Sequence, residues 1–186
     1  YNKLIVLEDD LICHKHFLTY MNDALNFYEN IDEVMNINGY SFPIEDKNLP
    51  QTYFLRQISS WGWGTWKKSW QKINFDNKQI KLHFSKNLIK EFNLNNSYNF
   101  WSHFLINYKN KKKTWAIYWY IALFLNNGLS LFPKNSFISN NGFDGSGENC
   151  NIDESYNISF ANHTNLEFTN NLQINKYAEE SLISFF

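Results

Sequence analysis

Four consecutive apolar residues, Leu4-Ile5-Val6-Leu7, run directly into three carboxylates, Glu8-Asp9-Asp10. An unbroken apolar run of this length is the pattern of an inner strand, covered on both faces of a sheet. In open α/β sheets, ligands bind at the carboxyl ends of such strands. Adjacent carboxylates repel one another, and a cation relieves that repulsion. One or two carboxylates acting together with substrate phosphates suit Mg2+ or Mn2+. From the residues by themselves, an acidic solvated turn that caps the next helix is an equal alternative.

The rest of the chain alternates strand, helix and loop in the manner of an α/β domain. Phe17, Leu18, Met21, Ala24, Leu25 and Tyr28 recur at helical spacing. Strands are expected at Val34 to Ile37, Tyr53 to Leu55 and Leu129 to Phe132, the last closed by Pro133. Helices are expected at Lys67 to Gln71, Asn87 to Phe92, Tyr98 to Tyr108, Trp115 to Leu125 and from Ile174 onwards. Asn127-Gly128 supplies the stop signal for the helix before it. The polar, turn-rich stretch from Glu45 to Pro50 reads as a loop. No internal repeat divides the 186 residues, which form one domain.

Two segments carry unusual residue patterns. In Ser59-Ser60-Trp61-Gly62-Trp63-Gly64-Thr65-Trp66, large rings alternate with residues that permit close backbone approach. Trp61 and Trp63 here either wall a sugar site, with hydroxyls held by Ser59, Ser60 and backbone amides, or seal the core around a tight turn. Gly142-Phe143-Asp144-Gly145-Ser146-Gly147 lacks the lysine and spacing of a phosphate loop. It reads as a loop able to close over a ligand with Asp144 meeting a hydroxyl, or as a plain turn.

Leu7-Glu8-Asp9-Asp10-Leu11 followed by Phe17-Leu18-x-Tyr20-Met21-Asn22 resembles the metal-binding element of bacterial GT-A sugar transferases, family 2 and those related to the N-acetylglucosaminyltransferase I group. Gly39-Tyr40-Ser41, the Ser60 to Trp66 segment, and Trp115-Ala116-Ile117 through Gly147 are similar to the same family in order and spacing. The resemblance implies a GT-A-like mixed sheet flanked by helices (the nucleotide-diphospho-sugar transferase fold), with the early nucleotide-binding strands missing from this sequence. It implies Asp10 as the metal ligand for Mn2+ or Mg2+. Glu8 and Asp9 would orient the donor, beside Trp61, Gly62 and Trp63. The activity implied is transfer of a sugar from a nucleotide-sugar, UDP-linked, to a glycan or lipid-linked acceptor with inversion, as in surface polysaccharide synthesis.

The pattern departs from the family at three places. The base that takes the acceptor's proton is usually an Asp just before the Ser-Trp or Asp-Trp that opens the Trp-Ala-Ile helix; here those positions are Lys113 and Thr114. Tyr118 stands where an Arg is common, and Glu148-Asn149-Cys150 replaces Thr-His-Cys. Asp144 and Glu148 are the substitute bases available, and a decayed domain that binds without turning over is the alternative reading. A nucleotidyltransferase also uses strand-end carboxylates with Mg2+, but it leaves the tryptophan segment unexplained.

Bulk properties exclude other classes. A hydrophobic fraction of 44% and an aromatic fraction of 19% rule out a disordered chain. A net charge of −1, with no basic tract longer than Lys111-Lys112-Lys113, does not indicate nucleic acid binding. Cys13 and Cys150 form no disulfide framework and fit a reducing compartment. The apolar stretch from Trp115 to Leu125 is short of the roughly 20 residues that span a bilayer. Abundant Asn, Lys and Ile suggest an AT-rich, bacterial coding bias. The expected location is the cytoplasm, with room for peripheral association at the inner face of the membrane.

Overall fold

The computed structural model describes residues 1–44, 49–110, 114–141, 158, 160 and 166–186. Among the described residues seven strands are formed: β1 (Lys3–Val6), β2 (Leu11–Cys13), β3 (Val34–Asn38), β4 (Thr52–Leu55), β5 (Trp63–Trp66), β6 (Leu129–Pro133) and β7 (Ile138–Asn140). Five of them make a mixed sheet in the order β1-β5-β3-β6-β4, while β2 and β7 pair separately. β5 is antiparallel to both β1 and β3, β3 is parallel to β6, and β4 is antiparallel to β6. The carboxyl ends of β1, β3 and β6 therefore share one edge of the sheet with the amino ends of β5 and β4.

β3, β4 and β6 lie where the apolar runs place them. β1 does not hold the inner position expected of it. Among the described residues it pairs only with β5, through Lys3↔Trp66 to Val6↔Trp63, and so forms an edge of the sheet. Ile5 packs into the core on one face and Val6 on the other, while Leu4 and Leu7 are 47% and 46% exposed. Apolarity on both faces thus reflects layers above and below, and says nothing of a neighbour on each side.

The helices are α1 (Phe17–Phe27), α2 (Lys67–Trp70), α3 (Asn77–His83), α4 (Lys86–Phe92), α5 (Phe100–Tyr108), α6 (Ala116–Leu125) and α7 (Lys176–Phe185). α1 buries Phe17, Met21, Ala24 and Leu25 against Ile37, Phe54, Trp66 and Leu131 of the sheet. α6 covers the opposite face, placing Trp119, Ala122 and Leu123 with Met35 and Trp63. Its outer side, Ile117, Tyr118, Ile121 and Phe124, is covered in turn by α3, α4 and α5 through Ile80, Phe84, Phe92, Trp101 and Phe104. A helix apolar all round is stable only when buried all round, and Ile117 to Phe124 are all buried. This explains why the chain needs an extra helical layer.

The end of α6 is set by its stop signal. Gly128 N–H donates to Leu123 O at 2.8 Å and Asn127 N–H to Phe124 O at 3.2 Å, the double closure of a Schellman turn. Asn127 takes the left-handed conformation at φ 51°. Gly128 is needed for space, since a Cβ there would meet Met35 Sδ at 2.5 Å.

Four buried phenols tie these layers together. Tyr20 donates to Asn38 O at 3.0 Å, Tyr28 to Thr169 O at 2.8 Å and Tyr120 to Phe92 O at 3.0 Å. Tyr53 shares a 3.1 Å bond with Ser41 Oγ. Desolvation raises all four above the ordinary phenol range, Tyr53 up to about 12. An acid whose folded pKa is raised contributes stability in full below its unfolded value and loses it as pH rises through the folded one. Stability should therefore fall steeply from about pH 10 upwards. In an absorbance titration, these phenols should ionise only together with the loss of circular dichroism. Independent ionisation with the fold intact would contradict their burial.

Candidate functional site

The site is assembled at the sheet edge where β1 and β3 end. β1 delivers Leu7 to Asp10 into a turn, and Glu8, Asp9 and Asp10 are exposed there. The chain then enters β2, which pairs with β7 in the register Leu11↔Asn140 to Cys13↔Ile138. Asn141 N–H donates to Asp10 O at 3.0 Å, so the backbone of the acidic turn is tied to the segment leaving β7. That segment leads directly into the Gly-rich stretch. Asp144, Glu148 and the rest of residues 142–157 lie outside the described residues, as do Lys111 to Lys113, Glu45 to Asn48 and His163.

Gly39 and Gly62 bring the β3 exit and the tryptophan segment against each other. Gly39 N–H donates to Gly62 O at 2.6 Å, and Phe137 N–H donates to Gly39 O at 2.8 Å. Ser41 N–H reaches Ser136 Oγ at 3.2 Å. A Cβ on Gly39 would run into the Phe17 ring and Gly62 O. Gly62 has φ +61°, and a Cβ on it would lie 2.6 Å from Ile138 Cγ1. Both glycines are thus demanded by close approach, and Gly62 by conformation as well.

Packing explains the alternation in Trp61-Gly62-Trp63-Gly64. Gly64 lies flat under α1, where a Cβ would touch Met21, Leu25 and Leu4 O at 3.0–3.1 Å. Trp63 points to the opposite face and is only 2% exposed. Its ring stacks on Trp115 at 5.0 Å and joins Trp70 and Trp119 in a four-indole cluster. Trp63 seals the core, so its ring reaches no ligand without repacking. Trp61 is half-buried, edge-on to Tyr40 at 4.6 Å, and stays near the sheet edge.

Behind this edge lies a buried polar network. Asn36 Nδ2 donates to Asn38 Oδ1 at 3.0 Å and to Ser130 Oγ at 2.8 Å. Asn38 Nδ2 donates to Ser130 Oγ at 2.8 Å and to Leu131 O at 2.9 Å, while Asn38 Oδ1 accepts from Ser59 N–H at 2.9 Å. Trp119 Nε1 completes the set by donating to Asn36 Oδ1 at 3.1 Å. The network pins Ser59, and Ser59 Oγ in turn accepts from Trp61 N–H at 3.1 Å. Sequence reasoning passed over these residues, although two Asn in the otherwise apolar Val34–Asn38 strand are a visible signal.

Electrostatics at the acidic turn is one-sided. The Glu8 carboxyl is pushed above the usual carboxylate range, first by desolvation, then by the charges of Asp10 and Asp9. Among the described residues, no three His, Cys, Asp or Glu side chains converge as a ready-made metal cage. Among the described residues, one or two of these carboxylates could supply hard oxygen ligands to a divalent metal, which would need further oxygen ligands to complete its shell.

A cavity of about 240 Å3 opens on the α6 side of the sheet, between the Gln57–Ser60 segment and the starts of α5 and α6. Ser60, Tyr98, His103 and Thr114 bring polar groups to it, and Phe100 and Tyr120 bring rings. Gln57 is buried, and its Oε1 has no hydrogen-bond partner among the described residues. These residues come from three separate segments, so no sequence spacing announces them. Thr114 is held in a two-way clasp: its N–H donates to Asn107 Oδ1 at 2.8 Å, and Asn107 Nδ2 donates to its Oγ1 at 2.9 Å.

No protein-family profile matches the chain, and no curated protein does. The architecture is mixed α/β, a mixed sheet flanked by helices.

Proposed function

We propose that this chain is the metal-binding and acceptor-side part of a GT-A-type glycosyltransferase, taking a UDP-linked sugar donor and a glycan acceptor and working with inversion. One observation carries the reading. The acidic turn, the Gly39 to Ser41 exit and the Ser59 to Gly62 segment are far apart in sequence, yet meet at one sheet edge. In this reading Asp10 binds Mn2+ or Mg2+ together with the donor diphosphate. The ion's contribution is to neutralise charge on the departing nucleotide. Glu8 and Asp9 orient the donor, and Trp61 and Gly62 border the sugar. The cavity at Ser60, Tyr98 and His103 suits the hydroxyls and apolar face of an acceptor ring.

A second reading, binding without turnover, is favoured by Thr114. With Lys113 it fills the two positions where the resembling family carries its base Asp and the Ser or Asp that follows, and its N–H and Oγ1 both bond to Asn107. Calorimetry of the intact protein with UDP separates the possibilities. With Mn2+ present, UDP should bind; EDTA or Asp10→Ala should weaken binding tenfold or more. UDP affinity that is indifferent to both would overturn the donor site. Metal-dependent binding with no hydrolysis or transfer across a panel of nucleotide-sugars would select the second reading.

A further inference from the structure

The near-neutral net charge conceals a division along the chain. Between Lys67 and Lys134 there are twelve lysines and only two acids, Asp76 and Glu91, while the whole chain balances 17 basic residues against 18 acidic. The segment 67–134 therefore carries an excess of ten positive charges, and the remainder is correspondingly acidic. Part of this excess lies on the outer helical layer, which also holds both acids, Asp76 and Glu91. Lys78, Lys81, Lys86, Lys90 and Lys109 are all exposed on or beside α3, α4 and α5. The described ion pairs join Lys3 to Glu29 and Lys68 to Asp32, and involve none of these five.

A lysine-rich face needs no partner to be stable in water, but this one also carries large apolar side chains. Leu82 is 85% exposed and Phe75 is 59% exposed. Lys78 and Leu82 lie on the side of α3 opposite the buried Ile80, and Phe75, just before the helix, rests its ring against Tyr118 at 5.1 Å. Lys81 Nζ lies 4.6 Å from the centroid of Tyr108, which brings the end of α5 and Lys109 next to the same face. Protruding apolar residues ringed by lysines are the composition of a surface that lies in the headgroup region of an anionic leaflet. A nucleic-acid face would use the lysines and leave Leu82 and Phe75 idle.

We propose that the α3–α4 face, centred on Phe75, Lys78, Lys81, Leu82 and Lys86, docks the protein onto an anionic lipid bilayer as a peripheral contact. Charge complementarity draws it to the surface, and the two apolar side chains enter the interface. No helix among the described residues is long and apolar enough to cross a membrane, so the contact is superficial. The inference is independent of the donor site, because none of its residues lies in the turn or the cavity described above.

Sedimentation of the intact protein with vesicles tests it. Phosphatidylcholine vesicles carrying one third phosphatidylglycerol should pull the protein down at low salt, and pure phosphatidylcholine should not. Lys78→Gln, Lys81→Gln and Lys86→Gln together should reduce partitioning about 100-fold. Phe75→Ser with Leu82→Ser should reduce it roughly tenfold; Leu82→Ser alone, at a side chain 85% exposed, should still weaken partitioning and leave the urea midpoint unchanged. Absence of partitioning onto the anionic vesicles would overturn the proposal. So would binding that ignores the Phe75 and Leu82 changes and is competed away by heparin, which would mark a general polyanion face.

Discussion

Asn38→Leu should lower the unfolding free energy by about 4 kcal/mol or more, although leucine keeps asparagine's branched outline. The size of the effect follows from what the amide holds. It accepts from Ser59 N–H and Asn36 Nδ2, and donates to Ser130 Oγ and Leu131 O, all in the buried interior. Each buried group deprived of its partner costs about 1–3 kcal/mol. Urea denaturation gives the measurement. A loss below about 1 kcal/mol would show that neighbouring groups re-pair freely. The change should also release Ser59, so Trp61 emission should shift before the protein unfolds. Combined with Asn36→Leu, the deficit should be clearly less than additive, since the two amides already bond to each other.

Gly62→Ala should cost roughly 3 kcal/mol, and that cost has two separable parts. A residue with a Cβ pays about 1–2 kcal/mol for the left-handed conformation at φ +61°. The remainder is overlap with Ile138, whose Cγ1 would lie 2.6 Å away. Trimming the neighbour therefore reveals the split. In an Ile138→Ala background, Gly62→Ala should cost only the conformational part, giving a coupling of at least about 1 kcal/mol in a double-mutant cycle. Strict additivity would mean that the backbone, and not the contact with β7, determines the glycine. Because β7 leads into the Gly-rich stretch, the same substitution should weaken ligand binding more than its effect on stability alone predicts.

These two positions illustrate what could be read from the sequence. The helices at Phe17, Asn87 and Tyr98 announce themselves through apolar periodicity because each buries one face, and the strands at Val34, Tyr53 and Leu129 and the helix at Trp115 through apolar runs because they are buried all round. β1 misleads because its four apolar residues satisfy two covering layers while its outer edge stays open. β5 escapes periodicity because Gly64 leaves a gap on its α1-facing side, where Trp66 alone supplies an apolar side chain. β2 and β7 are three-residue strands that exist only as a pair across a long sequence separation.

For the site, the acidic turn could be placed at a strand end from sequence, as could the glycines that need room. The assignment of Trp63 to a sugar wall could not be checked there, since an indole in the core and one in a binding site look alike in a string of letters. Its 2% exposure decides that point. The Asn36–Asn38–Ser130 network and the cavity at His103 depend on contacts across more than 40 residues, beyond the reach of any local pattern.

The cluster of Trp63, Trp70, Trp115 and Trp119 also gives the molecule a built-in optical gauge. Four indoles within 5.0–6.3 Å of their neighbours exchange excitation energy and couple their electronic transitions. Their far-ultraviolet circular dichroism should therefore carry an exciton signature that disappears when α6 separates from the sheet. Trp61 stands apart from them at the candidate site, edge-on to Tyr40. Dichroism from the cluster and emission from Trp61 can thus follow two events in one sample, the opening of the interior and the arrival of a ligand.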